Sequence, residues 1–292
     1  MHIYPGNENC QTVSTMKPTD GYGNFLPALF VPHGAPTFAL NPGEAGAALA
    51  QVTQRLDSPK AVLVVSAHWD TEQPALGIAS RPETIHDYHG FPQSLYSIRY
   101  PAPGAIPWAL EARALLEEAG FGVKLDPLRG LDHGAWIPLR LMFPEADVPV
   151  FTLSLQSHLG AEHHYRIGRV LAPLREAGVL IVGSGNLTHN LKHFGLLRGE
   201  VNPPGYVAAF QGWVRDRLLA GDAASLLEYR NLAPGAELAH PTDEHLLPLY
   251  VALGAAGADF AAEQVYSGIE HNMLAMDAYA FRSSRDFQSS SH

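Results

Sequence analysis

Histidine is the residue type with which this sequence could do chemistry. It holds fifteen histidines against a single cysteine, Cys10, so an internal disulfide and a thiolate metal cluster are both excluded. Three histidines stand apart by position: His33, His68 and His189 each follow an apolar run by only a few residues. The runs cover residues 26–31, 61–65 and 179–182. Apolar runs without alternation fit strands buried on both faces, the pattern of a parallel sheet. Ligands and catalytic groups gather at the carboxyl ends of such strands. If the three strands are neighbours, three imidazoles converge on one sheet edge. Convergent neutral imidazoles are the commonest way to hold zinc or Fe(II). His240, beside Pro241 at an expected helix start, and His133, in a glycine-flanked turn, also lie on rigid loops.

Spacing alone leaves the reaction open. Three histidines and a water form a catalytic zinc site suited to hydrolysis or hydration. Two histidines and a carboxylate form the non-haem Fe(II) oxygenase triad, and Asp243 or Glu244 could supply the carboxylate from the turn of His240. A non-enzymatic protein with a closed structural metal site is the third reading. Covalent nucleophilic catalysis has no candidate, because no GxSxG elbow occurs. The GSGN at 183–186 lacks the third glycine of a dinucleotide loop. His163, His164, His193, His271 and His292 read as helix-face, hairpin or tail residues. His86 and His89 sit in an aromatic-rich insertion over 71–100, a candidate wall against a substrate.

The elements that must position these residues alternate strand with helix. Strands are expected over 26–31, 61–70, 122–125, 148–155 and 179–182, with two more around 263–266 and 274–281. Helices are expected over 43–56, 107–119, 135–143 (interrupted by Pro138), 161–177, 205–219 and 223–229, and one ending near 253. The fold class is α/β, a single domain over 25–284 with a central mixed, largely parallel sheet flanked by helices. A polar arm (1–24) and a flexible tail (285–292) flank it. With 46% hydrophobic residues in 292 the chain can bury a large core. A net charge of −10 without any basic block argues against nucleic acid as a partner. No apolar segment resembles a signal peptide or a membrane span, so a cytoplasmic protein, monomer or homodimer, is expected.

PHGAP at 32–36, SAHW at 66–69, LDHGAWIPL at 131–139, GSGNLTHNL at 183–191 and HPTDEHLLPLYVALGAA at 240–256 together resemble the class III extradiol ring-cleavage dioxygenases, in particular their DOPA-dioxygenase branch. The motifs span nearly the whole chain, in family order. The resemblance implies a non-haem Fe(II) site, able to take zinc as isolated, with O2 as co-substrate. It implies His33, His68 and His240 as metal ligands, with His240 standing where other class III enzymes place a glutamate. It implies His189 as an acid/base group or fourth ligand, and His133 as a group that hydrogen-bonds dioxygen or substrate. The substrate would be a catechol, L-DOPA above all. Cleavage at 4,5 would give seco-DOPA, which cyclises to betalamic acid; 2,3-cleavage would give a muscaflavin-type product.

Overall fold

The computed structural model describes Tyr22, residues 25–194 and 202–283, and Asp286. Most of the expected arm and tail therefore lies outside the described residues. Tyr22 is buried, with the Arg55 guanidinium 4.4 Å over its ring, and Asp286 accepts a hydrogen bond from buried Arg175 at 2.6 Å.

Ten strands are present among the described residues: β1 (Ala28–Pro32), β2 (Ala61–Asp70), β3 (Ala75–Gly77), β4 (Lys124–Asp126), β5 (Val150–Leu155), β6 (Val179–Gly185), β7 (Phe260–Tyr266), β8 (Ile269–Glu270), β9 (Leu274–Ala275) and β10 (Ala278–Ser283). Eight form one sheet in the order β4-β3-β5-β2-β6-β1-β10-β7, and β8 and β9 form a separate hairpin. The four central strands, β5, β2, β6 and β1, run parallel. The expected final pair is the antiparallel β7–β10 ladder, and β10 also closes on β1. The sheet is thus mixed and largely parallel, as the alternation of elements requires.

Strand parity sorts the side chains into two cores. Phe30, Leu63, Val65, Ile181 and Leu153 face one layer, with the helices Ile106–Glu118, Gly160–Glu176, Gly205–Leu219 and Leu247–Ala256. Leu29, Val31, Val62, Val64, Leu180 and Val182 face the other, with Gly43–Gln54 and His133–Met142. Continuing the second parity along β2 and β6 brings Ser66, His68 and Ser184 to the face that His133–Met142 covers.

The structure departs from expectation in instructive places. Strand β6 does not stop at Val182 but continues through Gly185, pairing Gly183 with Phe30 and with Val65. Strand β2 covers the expected 61–70 and carries His68 near its carboxyl end. Pro138 does not interrupt its helix, which runs unbroken over His133–Met142. The segment 71–100 is not wholly irregular: β3 pairs with β5 and β4. Among the described residues no helix is long and apolar enough to cross a membrane.

Every residue of Leu247–Ala256 is buried, and glycines let it cross Gly160–Glu176 closely. A Cβ at Gly254 would lie 2.1 Å from the Tyr165 carbonyl oxygen, and one at Gly168 would lie 2.1 Å from that of Val251. Backbone cannot yield as a side-chain tip can, so Gly254→Ala should destabilise by about 1–3 kcal/mol through overpacking. Gly212→Ala, in Gly205–Leu219 with nothing nearer than Arg215 Nη2 at 4.0 Å, should instead stabilise by about 0.5–1 kcal/mol. Urea unfolding of the two variants checks the opposite signs.

Candidate metal centre

The carboxyl ends of β1, β6 and β2 lie side by side because β6 inserts between the other two. His33 leaves the end of β1, His68 lies near the end of β2, and His189 follows β6 by four residues. The convergence expected of these three positions is present. His33 Nε2 stands 3.0 Å from His68 Nε2. His189 stacks on His245 with ring centroids 3.3 Å apart, and the His245 ring lies 5.2 Å from His33 and 4.9 Å from His68. His133 closes another side, 3.9 Å from the His68 ring.

His240 departs from expectation. Its Nε2 donates to the Leu187 carbonyl at 2.8 Å and its ring packs edge-on to Phe210, wholly buried. In place of His240, the structure groups His245 with His33 and His68, ligand atoms within 4.8 Å of one another. The reason is geometric: the short helix Ala236–Ala239 ends against the loop after β6, where Ala239 accepts the His189 N–H. The residue after Ala239 therefore meets the loop backbone, and the chain turns into the cluster only five residues later. His240 thereby braces the loop that carries His189.

The protonation state of each imidazole is set by its neighbours. Pro138 has no N–H to offer the carbonyl one helical turn back, that of Gly134. That carbonyl instead accepts the Ser184 hydroxyl proton. A hydroxyl has one hydrogen, so Ser184 Oγ must accept from His33 Nδ1, 3.1 Å away. His33 Nε2 is therefore a bare lone pair. In the same way Glu244 Oε1, an acceptor, takes the Nδ1 proton of His245 at 3.2 Å. This leaves His245 Nε2 bare, buried and without a partner.

Burial holds these rings neutral, and their mutual repulsion adds to it. The pKa of His33 and that of His245 fall well below the ordinary value. His68 drops to about 3 and His189 to about 4, burial again being the largest cause. Burial likewise takes His240 to about 3.

Bare imidazole nitrogens aimed at one another fit a divalent metal. Two nitrogens bound about 2.0–2.1 Å from one tetrahedral ion stand about 3.3 Å apart, close to the observed contact of His33 with His68. Each ring is backed on its far side, as metal-bound histidines are: His33 by Ser184, His245 by Glu244, and His68 by Asp87 Oδ2 3.7 Å from its Nδ1. The floor is built to tolerance, because a Cβ at Gly134 would fall 3.0 Å from His68 Cδ2. Beneath it Asp132 caps the His133–Met142 helix through the Ala135 N–H, accepts Ser66 Oγ at 2.6 Å, and pairs with Arg129.

Three participants are silent in the sequence. HPTDEH offers two histidines, and spacing favours neither. Asp87 reads as part of the insertion, where His86 and His89 are the expected contacts. His86 instead donates to the Ile98 carbonyl among Tyr88, Tyr96 and Trp136, and His89 is exposed. Asp87 is what the segment sends to the cluster. Its carboxyl, pushed up by burial, is pulled down further by His133 and ends at about 2. Ser184 reads as part of a glycine-rich loop and carries no signal.

The sequence matches the family described as the catalytic LigB subunit of aromatic ring-opening dioxygenase over residues 28–281. A protein of Beta vulgaris named 4,5-DOPA dioxygenase extradiol is 42% identical over 264 residues, covering 89% of this chain and 98% of its own. One of Escherichia coli K12 with the same name is 37% identical over 255 residues, covering 86% and 93%. The crystal structure of an uncharacterized Escherichia coli K12 protein superposes with a TM-score of 0.73 at 32% identity, covering 87% of this chain and 99% of that one.

The placement of His240 and His245 predicts different metal contents. His245→Ala should lose most bound metal, whereas His240→Ala should keep it; metal analysis of the purified variants decides. Ser184→Ala, which frees His33 Nδ1, should weaken metal affinity about 10–100-fold, measured by competition with a chelator. The metal-free protein should also be acid-sensitive. Below the ordinary histidine value of 6.5 the unfolded chain takes up protons that the buried rings refuse. Stability should therefore fall from about pH 6.5 down towards the folded values, seen as urea midpoints declining with pH.

Proposed function

The chain belongs to the LigB family of aromatic ring-opening dioxygenases, and from that premise we propose that it opens the ring of L-DOPA with Fe(II) at the histidine cluster. Extradiol ring opening of a small catechol is the activity of the family, whose dioxygenases are metal-dependent. The zinc-hydrolase and non-enzymatic readings give way to it.

One observation carries the assignment of roles. His33 and His245 present bare, buried nitrogens to the space that His68 Nε2 also faces. These three would hold the ion. Fe(II) there would supply a site for both catechol oxygens and for O2, and a route for electrons between ring and oxygen; zinc fits the same donors but has no redox chemistry. The name shared by the Beta vulgaris and Escherichia coli relatives supports L-DOPA as the substrate and 4,5 as the bond.

The chain's own groups then handle protons. A catechol that binds through both oxygens would give up a hydroxyl proton, and a neutral imidazole nearby is the group to take it. His189, neutral and stacked beside His245, is that base. His133, packed against His68, is placed to exchange a proton with a substrate oxygen. His240 acts at one remove, holding the Leu187 carbonyl beneath the His189 loop. Tyr88, whose ring lies 5.6 Å from that of His133, would border the ring face of the substrate, so the insertion still supplies a wall although His86 and His89 turn away.

The test is oxygen uptake by metal-stripped protein reloaded anaerobically with Fe(II) or Zn(II) and given L-DOPA. Fe(II) alone should support uptake, with a yellow product heavier than L-DOPA by two oxygen atoms before cyclisation. Uptake with simple catechols but not L-DOPA would retain the family activity and refute the substrate.

A further inference from the structure

Asp87 makes two contacts with one residue. Its Oδ1 accepts the backbone N–H of His133 at 2.9 Å, and its Oδ2 lies 3.0 Å from His133 Nδ1. The carboxylate reaches there because its segment is tied along 131–136 by backbone. Leu131 N–H donates to Glu83 O and Ile85 N–H to Leu131 O, each at 2.7 Å, while Trp136 Nε1 donates to Ile85 O at 3.1 Å. Thr84 and Leu131 form a parallel bridge. A ladder on one side and a helix N-terminus on the other leave the carboxylate little freedom.

Geometry therefore decides which His133 nitrogen carries its proton. Asp87 Oδ2 stands 3.0 Å from Nδ1 without hydrogen-bond alignment; a carboxylate that close repels a bare nitrogen lone pair and so favours the proton on Nδ1, leaving Nε2 free. The ring packs 3.9 Å from that of His68 and 5.4 Å from that of His33, so His133 borders the cluster where the catechol would sit.

We infer that Asp87 is a positioning residue that fixes the tautomer and orientation of His133, so that Nε2 is the atom exchanging a proton with substrate. It acts chiefly through His133, with which it makes both of its close contacts, and lies farther, 3.7 Å, from His68 Nδ1. The inference rests on the acid/base role proposed for His133. The chemistry parallels other carboxylate–imidazole pairs, in which an amide in place of the carboxylate keeps the shape and reverses the tautomer.

The experiment compares Asp87→Asn, Asp87→Glu, His133→Ala and the double variant Asp87→Asn/His133→Ala, as metal-loaded enzymes and metal-free. Asp87→Asn should lower kcat about 100-fold or more, with KM and metal content changed less than about twofold, and Asp87→Glu should recover part of the loss. The double variant should be no slower than His133→Ala, since a residue acting through another adds nothing once that other is gone. Nitrogen-15 imidazole spectra of the metal-free protein should place the His133 proton on Nδ1 in the wild type and on Nε2 in Asp87→Asn. Loss of metal in Asp87→Asn would show that Asp87 serves the ion, directly or through His68, rather than His133, and would overturn the inference. Independent, multiplying losses in the double variant, or an unchanged tautomer, would overturn it too. Should the wild type open no catechol ring, the functional proposal fails, while the spectra still decide the Asp87–His133 pair.

Discussion

The centre depends on two imidazole nitrogens standing 3.0 Å apart, His33 Nε2 and His68 Nε2, in surroundings that tolerate no charge on either ring. Such a contact persists only if each ring is held from behind. For His33 the restraint begins with a missing atom, the N–H that Pro138 lacks. The orphaned Gly134 carbonyl takes the Ser184 proton, Ser184 takes the proton of His33 Nδ1, and the far nitrogen is left bare. A proline that looks like a helix fault is thus the first link in preparing a ligand.

The opposite wall repeats the device with carboxylates. Glu244 accepts from His245 Nδ1, and Asp87 stands 3.0 Å from His133 Nδ1 and 3.7 Å from His68 Nδ1. Both side chains are partly exposed, 27% and 25%, and so meet water, while His245 in front of Glu244 is buried. Buried imidazoles backed by carboxylates form a donor set in keeping with a metal-dependent family.

His33, His68 and His189 are legible in the sequence because long apolar runs announce buried parallel strands, and residues near the carboxyl end of such a strand emerge at its functional edge. The α/β class and the closing antiparallel pair are legible for the same reason. The third member of the cluster is not. His240 and His245 share one motif, and only the packing of Ala239 against the loop after β6 turns the first aside. Asp87 is hidden because its register comes from backbone ladders with 131, contacts that no periodicity encodes. Ser184 is hidden because β6 runs through a glycine pair that reads as a loop.

The position of β6 has a consequence for how the protein is made. β1 and β2 carry two of the histidines to the cluster, yet never pair with each other; both pair with β6, which is synthesised more than a hundred residues later. A nascent chain that has emerged only past β2 holds both imidazoles but no scaffold to set their spacing. Long-range strand insertion is slow and comes late, and His245 lies about sixty residues beyond β6. The spacing of His33 and His68 is therefore set only once β6 has been made and has paired with both strands.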